Sequence, residues 1–464
     1  MKKFLAEAAS VRPSERQKKW FDMGMYAFIH FGVNTFTDRE WGLGNEDEKL
    51  FAPAKLNPEQ WAEAIRDAGF KGLVLTCKHH DGFCLWPSRY TEHSVKNSPV
   101  NQDVVKLASE ACRKYGLKFG IYLSPWDRNS ALYGTDAYND YFINQLTELL
   151  TEYGEIFYIF LDGACGEGPN GKVQKYDFPR IIETVRKYQP EAVIFYDKGP
   201  DVRWVGNEAG KPRYSEWAVV PKELCCYAEV QTGEGPLANE GNLDFLYNTD
   251  SEIGALSGIL YSKGLVFCPS EMDTSIRKGW FWHKEEEPKS LEELFGIYLS
   301  SVGANACLHL NIPPTTDGLL DERDVKRLHE FGELIRREFS AEAPAKKERT
   351  GGSGSQAEYT LTFDGGKDIK YVVLEEDLDF GQRIESFSIY SGSDERMQYQ
   401  LYQGTTVGNR KICALYNPFA DQNPLIARGE GKIKNIIIKI KAARGEVHLK
   451  SVRAYETPAR EAKK

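Results

Sequence analysis

The stretch "NPEQWAEAIRDAGFKGLVLTC", residues 57–77, decides the fold because it holds one complete helix-and-strand unit. Asn57 and Pro58 predict a helix start, since Asn caps helix N-termini and Pro is tolerated in the first turn. Gly69 predicts the end of that helix. The run "GLVLTC" at 72–77 is almost continuously apolar, which is typical of a parallel strand covered on both faces.

The same unit recurs along the first half of the chain. Three further apolar runs each follow a helical pattern, "KFGIYLS" at 118–124, "IFYIFLD" at 156–162 and "AVIFYD" at 192–197. An earlier run, "MYAFIHF" at 25–31, and later runs near "GLVFCPSE" and "ACLHLNIPP" extend the series. Their number and spacing favour an α/β fold of the (β/α)8, TIM-like barrel type over a doubly wound sheet, with strands six and seven left unplaced.

The composition changes beyond the barrel. Residues 1–340 are predicted to form a catalytic barrel. The charged and then Gly/Ser-rich stretch at 341–356 is predicted to be a linker. Short alternating runs separated by turns fill 357–464, and they predict an all-β sandwich similar to a carbohydrate-binding module.

Bulk properties exclude several classes of function. The formal net charge of −9 over 464 residues argues against a nucleic-acid surface, which needs clustered Lys and Arg. The sequence contains no run of about 18 apolar residues, so no membrane span is predicted. The start "MKKFLAEAAS" lacks the apolar core of a signal peptide, so a cytoplasmic location is expected; a periplasmic or secreted chain that had lost its leader would look the same. The sequence does not indicate the oligomeric state.

Chemically active side chains follow the predicted strands, where a barrel of this kind keeps its active site. The candidates are His30, Glu40, Trp41, His79, His80, Tyr122, Asp162, Arg203, Glu208, Glu271, Arg277, Trp280 and Trp282. Trp204 and Asp273 stand in the same segments and receive no role. Carboxylates with aromatic and histidine side chains are the equipment of a glycoside hydrolase, which pairs a nucleophile with a general acid/base and stacks sugars on aromatic faces.

Two other kinds of site are considered. Gly166-x-x-x-x-Gly171-Lys172 has the spacing of a P-loop, but Val173 stands where Ser or Thr would hold Mg²⁺, so a turn beside Asp162 is the preferred interpretation. The adjacent pair His79–His80 raises the question of a metal. Neighbours in an extended segment point to opposite sides, so no metal site is predicted at this pair.

Several segments together resemble one enzyme family. These are "FIHFGVNTF" at 28–36, "KHHDGFCLWPS" at 78–88, "FGIYLSPWDR" at 119–128, "FLDGACGEGPNGK" at 160–172, "RWVGNEAG" at 203–210 and "SIRKGWFWH" at 275–283. In this order they resemble the α-L-fucosidases of glycoside hydrolase family 29. The resemblance implies a retaining hydrolase of fucosylated oligosaccharides without metal or cofactor. The glycine loop and "RWVGNEAG" resemble the branch that cleaves α-1,3/α-1,4-linked fucose in Lewis-type structures.

The resemblance also implies roles for individual residues. Asp162 matches the nucleophile and Glu208 the acid/base, with Glu271 as the alternative acid/base. The residues implied to hold fucose are His30, Glu40, Trp41, His79, His80 and Tyr122 at its hydroxyls, Trp280 and Trp282 beside its methyl group, and Arg203, Glu271 and Arg277 as further contacts. One position departs from the family pattern: Phe160 stands two residues before Asp162, where many relatives have Trp, so an indole N–H is missing.

Alternative functions remain open from the sequence. A broad-specificity fucosidase or a transfucosidase would use the same residues. A catalytically silent fucose-binding protein would keep the scaffold without turnover, and a nucleotide-dependent enzyme would require the glycine loop to bind phosphate.

Overall fold

The computed structural model describes residues 2–196, 199–222, 253–260, 262–392, 399–419 and 432–456. Its first ten strands are β1 (Met25–Ile29), β2 (Gly72–Lys78), β3 (Lys118–Leu123), β4 (Tyr158–Phe160), β5 (Val193–Phe195), β6 (Arg203–Trp204), β7 (Val219–Pro221), β8 (Leu265–Phe267), β9 (Ser270–Ser275) and β10 (Ala306–Asn311). Eight of them form one parallel sheet in the order β5-β4-β3-β2-β1-β10-β9-β6. A parallel bridge between Phe195 and Val202 nearly closes this sheet into a barrel, which confirms the TIM-like fold.

The helices that were predicted from the sequence have the expected residues at their ends. Their bounds are α1 (Lys2–Ala8), α2 (Glu15–Met23), α3 (Val33–Thr37), α4 (Pro58–Asp67), α5 (Val104–Tyr115), α6 (Asp136–Glu152), α7 (Phe178–Tyr188), α8 (Leu256–Ile259), α9 (Leu291–Ser300) and α10 (Glu322–Glu338). The Asn57 side chain accepts a hydrogen bond from the N–H of Gln60, and Pro58 occupies the first turn of α4. Gly116 ends α5 in the left-handed conformation. No helix among these described residues combines the length and apolarity needed to span a membrane.

Aromatic side chains fill the barrel. Tyr26, Phe28, Tyr122, Tyr158 and Phe160 are buried in one cluster at the barrel centre. A separate cluster of aliphatic and aromatic side chains lies between the strands and the helices. The barrel is therefore a packed core that is solid beneath its upper rim, as expected for eight short strands.

The structure places the two strands that the sequence left unplaced. The run 264–271, predicted as part of one strand, is divided: β8 pairs with β7 in an antiparallel ribbon outside the barrel, and β9 is the barrel strand. β6 has only two residues. β9 reads "SEMDTS" and is nevertheless buried throughout, so its polar sequence carries no apolar signal of a strand.

The second part of the chain is a β domain. Its strands are β11 (Ala345–Gly351), β12 (Ala357–Lys367), β13 (Ile369–Glu376), β14 (Ile384–Ser391), β15 (Tyr399–Gly404), β16 (Lys411–Ala414), β17 (Ile433–Ala443) and β18 (Leu449–Glu456). They form antiparallel sheets ordered β11-β12-β17-β14-β15 and β16-β13-β18, which enclose a common hydrophobic core.

The linker prediction is wrong for part of its range. Strand β11 lies within 341–356 and pairs with β12 at the edge of the larger sheet. Most of its side chains are exposed. Because an edge strand exposed to solvent suits Lys, Glu and Arg, its charged sequence is compatible with a strand as well as with a linker.

The β domain contacts the segment that follows β6. The Arg444 guanidinium lies 3.4 Å from the centre of the Trp217 ring, and its Nη2 donates to the carbonyl oxygen of Gly254 at 2.5 Å. Gln382 accepts a 2.7 Å hydrogen bond from the N–H of Ala218. These contacts brace the 203–222 segment from outside the barrel.

Candidate active site

A cavity of about 320 Å³ opens at the carboxyl ends of the barrel strands. It brings together eight of the predicted residues, namely His30, Glu40, Trp41, His79, His80, Asp162, Glu208 and Trp280. They come from the segments after β1, β2, β4, β6 and β9, so the barrel topology assembles side chains that are up to 250 positions apart in sequence (30 to 280).

Asp162 lies two residues beyond β4 and is held in one orientation. Its Oδ2 accepts a hydrogen bond of 2.9 Å from the Tyr122 hydroxyl, and its Oδ1 accepts one of 2.7 Å from the N–H of Ala164. His80 Nε2 lies 3.8 Å from Oδ2. The side chain is 28% exposed, so the carboxylate reaches the cavity while donors fix it from behind.

Glu208 follows β6 in the same cavity and has a different environment. The residue is exposed overall, yet its carboxyl group faces the cavity and is partly desolvated there. Desolvation raises the pKa of Glu208, the charges of Asp162 and Glu40 raise it further, and a hydrogen bond from Trp280 opposes them. A carboxyl group with a raised pKa beside an oriented carboxylate is the arrangement in which one acts as acid and the other as nucleophile.

Two histidines present hydrogen-bond acceptors to the cavity. The Ser124 hydroxyl donates its proton to the carbonyl of Trp126 at 2.6 Å, so it accepts from His80 Nδ1 at 2.7 Å and leaves Nε2 unprotonated. Asn311 donates to the carbonyl of Trp280 at 2.7 Å, which orients its Oδ1 to accept from His30 Nδ1 at 2.9 Å.

Burial keeps both of these rings neutral. It lowers the pKa of His30 to about 3, and it lowers the pKa of His80 although Asp162 opposes the shift. A neutral ring that donates through Nδ1 accepts through Nε2. His30 and His80 are therefore acceptors suited to sugar hydroxyl groups.

The expectation that His79 and His80 point to opposite sides is wrong. Both line the cavity, and their ring centroids are 4.2 Å apart. β2 ends at Lys78, so the backbone at the pair is no longer extended and the alternation of a strand does not apply. Among the described residues, no group of three or more His, Cys, Asp or Glu is arranged to hold a metal ion.

Four predicted contacts lie away from the cavity. Glu271 is fully buried below it, accepts from the hydroxyls of Tyr26 and Tyr158, and pairs with His309 at 3.0 Å. Arg203 is buried and donates to Glu216 and to the carbonyl of Trp217.

The other two predicted contacts, Arg277 and Trp282, bind acidic side chains at the start of helix α10. Arg277 is buried and pairs with Asp324 at 2.8 Å and with Asp321 at 3.0 Å. Trp282 donates from Nε1 to Asp321 at 3.1 Å. None of these four side chains is placed to bind a sugar in the cavity. Tyr122 is also outside the lining and acts there through its bond to Asp162.

The cavity also holds an aromatic floor that the sequence did not predict, and a fourth carboxyl group, that of Asp273, to which the sequence assigned no role. Phe28, Phe160 and Phe195 line the cavity, with Phe160 stacked on Phe195 at 4.4 Å between ring centroids. Asp273 lines it too, and its Oδ1 accepts from Trp204 Nε1 at 2.5 Å. Burial, followed by the charges of Glu271 and Glu208, raises the pKa of Asp273 well above its usual value.

Strand alternation was the available signal for the floor. Phe28 precedes His30 by two positions and Phe160 precedes Asp162 by two, and residues two apart in a strand share a face. The same spacing relates Asp273 to the buried Glu271, which lies one step deeper in the barrel.

The glycine loop beside Asp162 uses its backbone groups internally. The N–H of Gly168 donates to the carbonyl of Lys172 at 2.9 Å, and the N–H of Gly171 donates to the carbonyl of Gly168 at 3.0 Å. Asn170 Nδ2 donates to the carbonyl of Tyr133 at 2.6 Å. A phosphate cradle needs free N–H groups directed inward, so this loop is a turn at the rim of the cavity.

Two carboxyl groups in contrasting environments, hydroxyl acceptors and an aromatic floor at the top of a TIM-like barrel define the class: the site is that of a glycoside hydrolase. The alpha-L-fucosidase family model matches residues 2–338. The chain is 37% identical to Alpha-L-fucosidase 1 of Arabidopsis thaliana over 438 residues, which cover 87% of this chain and 82% of that protein.

Solved structures agree with this assignment. The crystal structure of a putative alpha-L-fucosidase from Bacteroides ovatus is 40% identical, with a TM-score of 0.87 over 100% of this chain and 77% of that chain. A glycoside hydrolase family 29 fucosidase from Ruminococcus gnavus, in complex with fucose, is 27% identical with a TM-score of 0.80 over 96% of this chain and 95% of that one. The chain belongs to glycoside hydrolase family 29 and is an α-L-fucosidase.

Proposed function

We propose that this α-L-fucosidase releases terminal α-1,3- and α-1,4-linked L-fucose from Lewis-type oligosaccharides by a retaining double displacement. The observation that carries the mechanism is the contrast between two of the cavity carboxyl groups, those of Asp162 and Glu208. Asp162 is held by Tyr122 and Ala164 as an oriented carboxylate, whereas the surroundings of Glu208 favour its protonated form.

The chemistry proceeds in two displacements. Glu208 transfers its proton to the glycosidic oxygen while Asp162 attacks the anomeric carbon, which breaks the bond to the leaving group and forms a fucosyl ester. Glu208, now ionised, removes a proton from water, and that water displaces Asp162 from the anomeric carbon. Fucose leaves with its anomeric configuration retained.

The remaining cavity residues fit a 6-deoxy sugar. His30 and His80 offer acceptors to hydroxyl groups, and the floor formed by Phe28, Phe160 and Phe195 offers an apolar surface to the C5 methyl group. Burying one methyl-sized group contributes about 0.8 kcal/mol, and a hydroxymethyl group in its place would bring an unpaired hydroxyl onto that floor.

The mechanism is tested by removing the nucleophile. Asp162→Gly should lose measurable turnover of an aryl α-L-fucoside, and added azide should restore it as β-L-fucosyl azide, because the small anion enters from the face that the carboxylate occupied. Recovery of the α-azide, or unchanged turnover without azide, would contradict the assignment. Fucoside binding without turnover by the wild type would instead support a silent fucose-binding protein.

The linkage preference rests on the resemblance of the 203–210 segment and the glycine loop to the α-1,3/1,4 branch. Release of fucose from 3-fucosyllactose should exceed release from 2′-fucosyllactose. Equal rates would favour a broad-specificity fucosidase, and transfer products at high acceptor concentration would favour a transfucosidase. The cytoplasmic location stays a prediction, which cell fractionation would test.

A further inference from the structure

His283 bridges a carboxylate inside the cavity and one outside it. Its Nε2 lies 2.6 Å from Oε1 of Glu40, which lines the cavity. Its Nδ1 lies 2.5 Å from Oδ1 of Asp38, whose side chain is 82% exposed. His283 belongs to the segment after β9, and both carboxylates belong to the segment after β1. The ring therefore ties two active-site loops together.

Other groups of the same segment also hold Glu40. The N–H of Trp280 donates to its Oε2 at 2.8 Å, and the N–H of Phe281 donates to its Oε1 at 3.3 Å. Gly279 permits this close approach, because a Cβ atom there would lie 2.5 Å from Oε1 of Glu40 and 2.9 Å from Cδ2 of His283. The Glu40 carboxylate is thus anchored from outside the cavity that it faces.

We propose that His283 is a positioning residue, which as an imidazolium donates to Asp38 and Glu40 together and fixes the Glu40 carboxylate at the sugar subsite. The inference rests on the proposed function, since the part assigned to Glu40 is binding of the sugar. Both ring partners are acceptors, so both bonds exist only when both ring nitrogens carry protons.

The charges around the ring agree with this protonation state. Burial lowers the pKa of His283, but the hydrogen bonds to Asp38 and Glu40 outweigh it and raise the pKa above 6.5. From its own segment, Arg277 and the N–H of Glu286 contact only the carbonyl oxygen of His283, at 3.4 and 3.2 Å. The Glu286 carboxylate is occupied by the N–H of Gly279 at 2.9 Å.

The consequence is a pH-dependent affinity for the sugar. When the pH rises through the pKa of His283, the ring loses one N–H and can no longer donate to both carboxylates. Glu40 then keeps its two backbone donors and loses the charged one, or Asp38 is released and the link between the loops breaks. Either result loosens the sugar subsite while leaving Asp162 and Glu208 in place.

The test uses the Glu208→Gln protein, in which the acid/base no longer titrates, and L-fucose binding by calorimetry between pH 5 and 9. Fucose affinity should fall about tenfold as the pH rises, the effect of one charge-assisted hydrogen bond. Adding His283→Gln should give an affinity that is about tenfold lower at pH 5.5 and lacks this fall with pH. His329→Gln, the same change on an exposed side chain of α10, is the matched control and should alter neither.

The protonation of His283 can be followed directly in the wild type by NMR. The His283 imidazole resonance, assigned by its absence in His283→Gln, should titrate above pH 6.5, and Asp38→Asn should lower its pKa while the protein stays folded. If Glu208→Gln binds no fucose at any pH, the proposed function fails and this inference with it. If it binds fucose and His283→Gln changes neither the affinity nor the pH profile, the positioning role alone is overturned.

Discussion

The hydroxyl group of Tyr122 donates a hydrogen bond of 2.9 Å to Oδ2 of Asp162. Tyr122 is fully buried at the end of β3, in the strand next to β4, so the barrel itself sets this distance. The second oxygen of Asp162 is held by the N–H of Ala164. The carboxylate is therefore oriented before any sugar enters, and part of the reaction geometry is a property of the free protein.

Tyr122→Phe should lower kcat/KM for an aryl α-L-fucoside by about tenfold, because Asp162 loses a donor that orients it. The ring keeps its packing against Phe28 and Phe160, so the melting temperature should change by only a few degrees. Tyr90→Phe, the same change on an exposed ring, is the control. An unchanged kcat/KM would show that the N–H of Ala164 alone is enough to orient Asp162.

Glu208→Gln should lower kcat/KM by about 10²- to 10⁴-fold on a fucoside with a poor leaving group, and far less on one with an activated phenol, since kcat/KM reports the first displacement and only the poor leaving group needs a proton there. The pKa of Glu208 is raised, and its acidic form donates that proton. Wild-type activity should therefore fall as the pH rises through this pKa. The variant should lack that alkaline limb, whereas Glu110→Gln on the exposed face of α5 should retain it.

Asp273→Asn should stabilise the protein at neutral pH. The pKa of Asp273 is raised in the folded state, so between its unfolded value and its folded value the native protein holds a proton that the unfolded chain has released. Stability from this group is present below the unfolded value and declines as the pH rises through that window. The difference in melting temperature between Asp273→Asn and wild type should grow from pH 4 to pH 7.

A constant difference over that range would show that Asp273 titrates as an ordinary carboxyl group. Asp364→Asn, the same change on an exposed side chain of β12, is the matched control. The amide also keeps an oxygen that can accept from Trp204, so the cavity wall should be preserved and fucoside affinity should change by less than about threefold.

Gly279→Ala should weaken fucose binding without unfolding the protein. The new methyl group would lie 2.5 Å from Oε1 of Glu40, and the carboxylate must move to admit it. An increase of about tenfold in the dissociation constant for fucose is expected, comparable to loss of one charged hydrogen bond. In Gly296→Ala, on α9, the added Cβ would meet nothing within 4 Å, so binding should be unchanged.

The sequence predicted those parts of the fold whose signals are local. The cap at Asn57, the glycine stop at Gly116 and the apolar runs of β1 to β5 all depend on neighbours in the chain. The strand β9 was left unplaced, because its burial depends on partners that are distant in the sequence. Inside the barrel, Glu271 is stabilised by Tyr26, Tyr158 and His309. These partners are distant in the sequence, so local hydropathy does not predict that Glu271 is buried.

The errors in the candidate site have a similar cause. The family resemblance implied Glu271 as the alternative acid/base, yet β9 continues past it to Ser275, and Asp273 takes the position nearer the mouth. Arg277 follows the same strand but turns toward the acidic side chains of α10. Which residues follow a strand was readable from the sequence. How far the strand extends and where each side chain turns depended on tertiary contacts.

Through Gln382 and Arg444, the β domain supports a segment of the barrel next to the active site. Gln382 donates to the carbonyl of Glu216 at 3.2 Å, and the Glu216 side chain in turn holds Arg203 of β6, the strand that precedes Glu208, the proposed acid/base. A chain ending at residue 340 would thus lose the outer support of its proposed proton donor, and is not expected to serve as a minimal version of the enzyme. The β domain is therefore expected to contribute to activity through the segment that carries Glu208, and exchanging it for an unrelated domain should weaken that support.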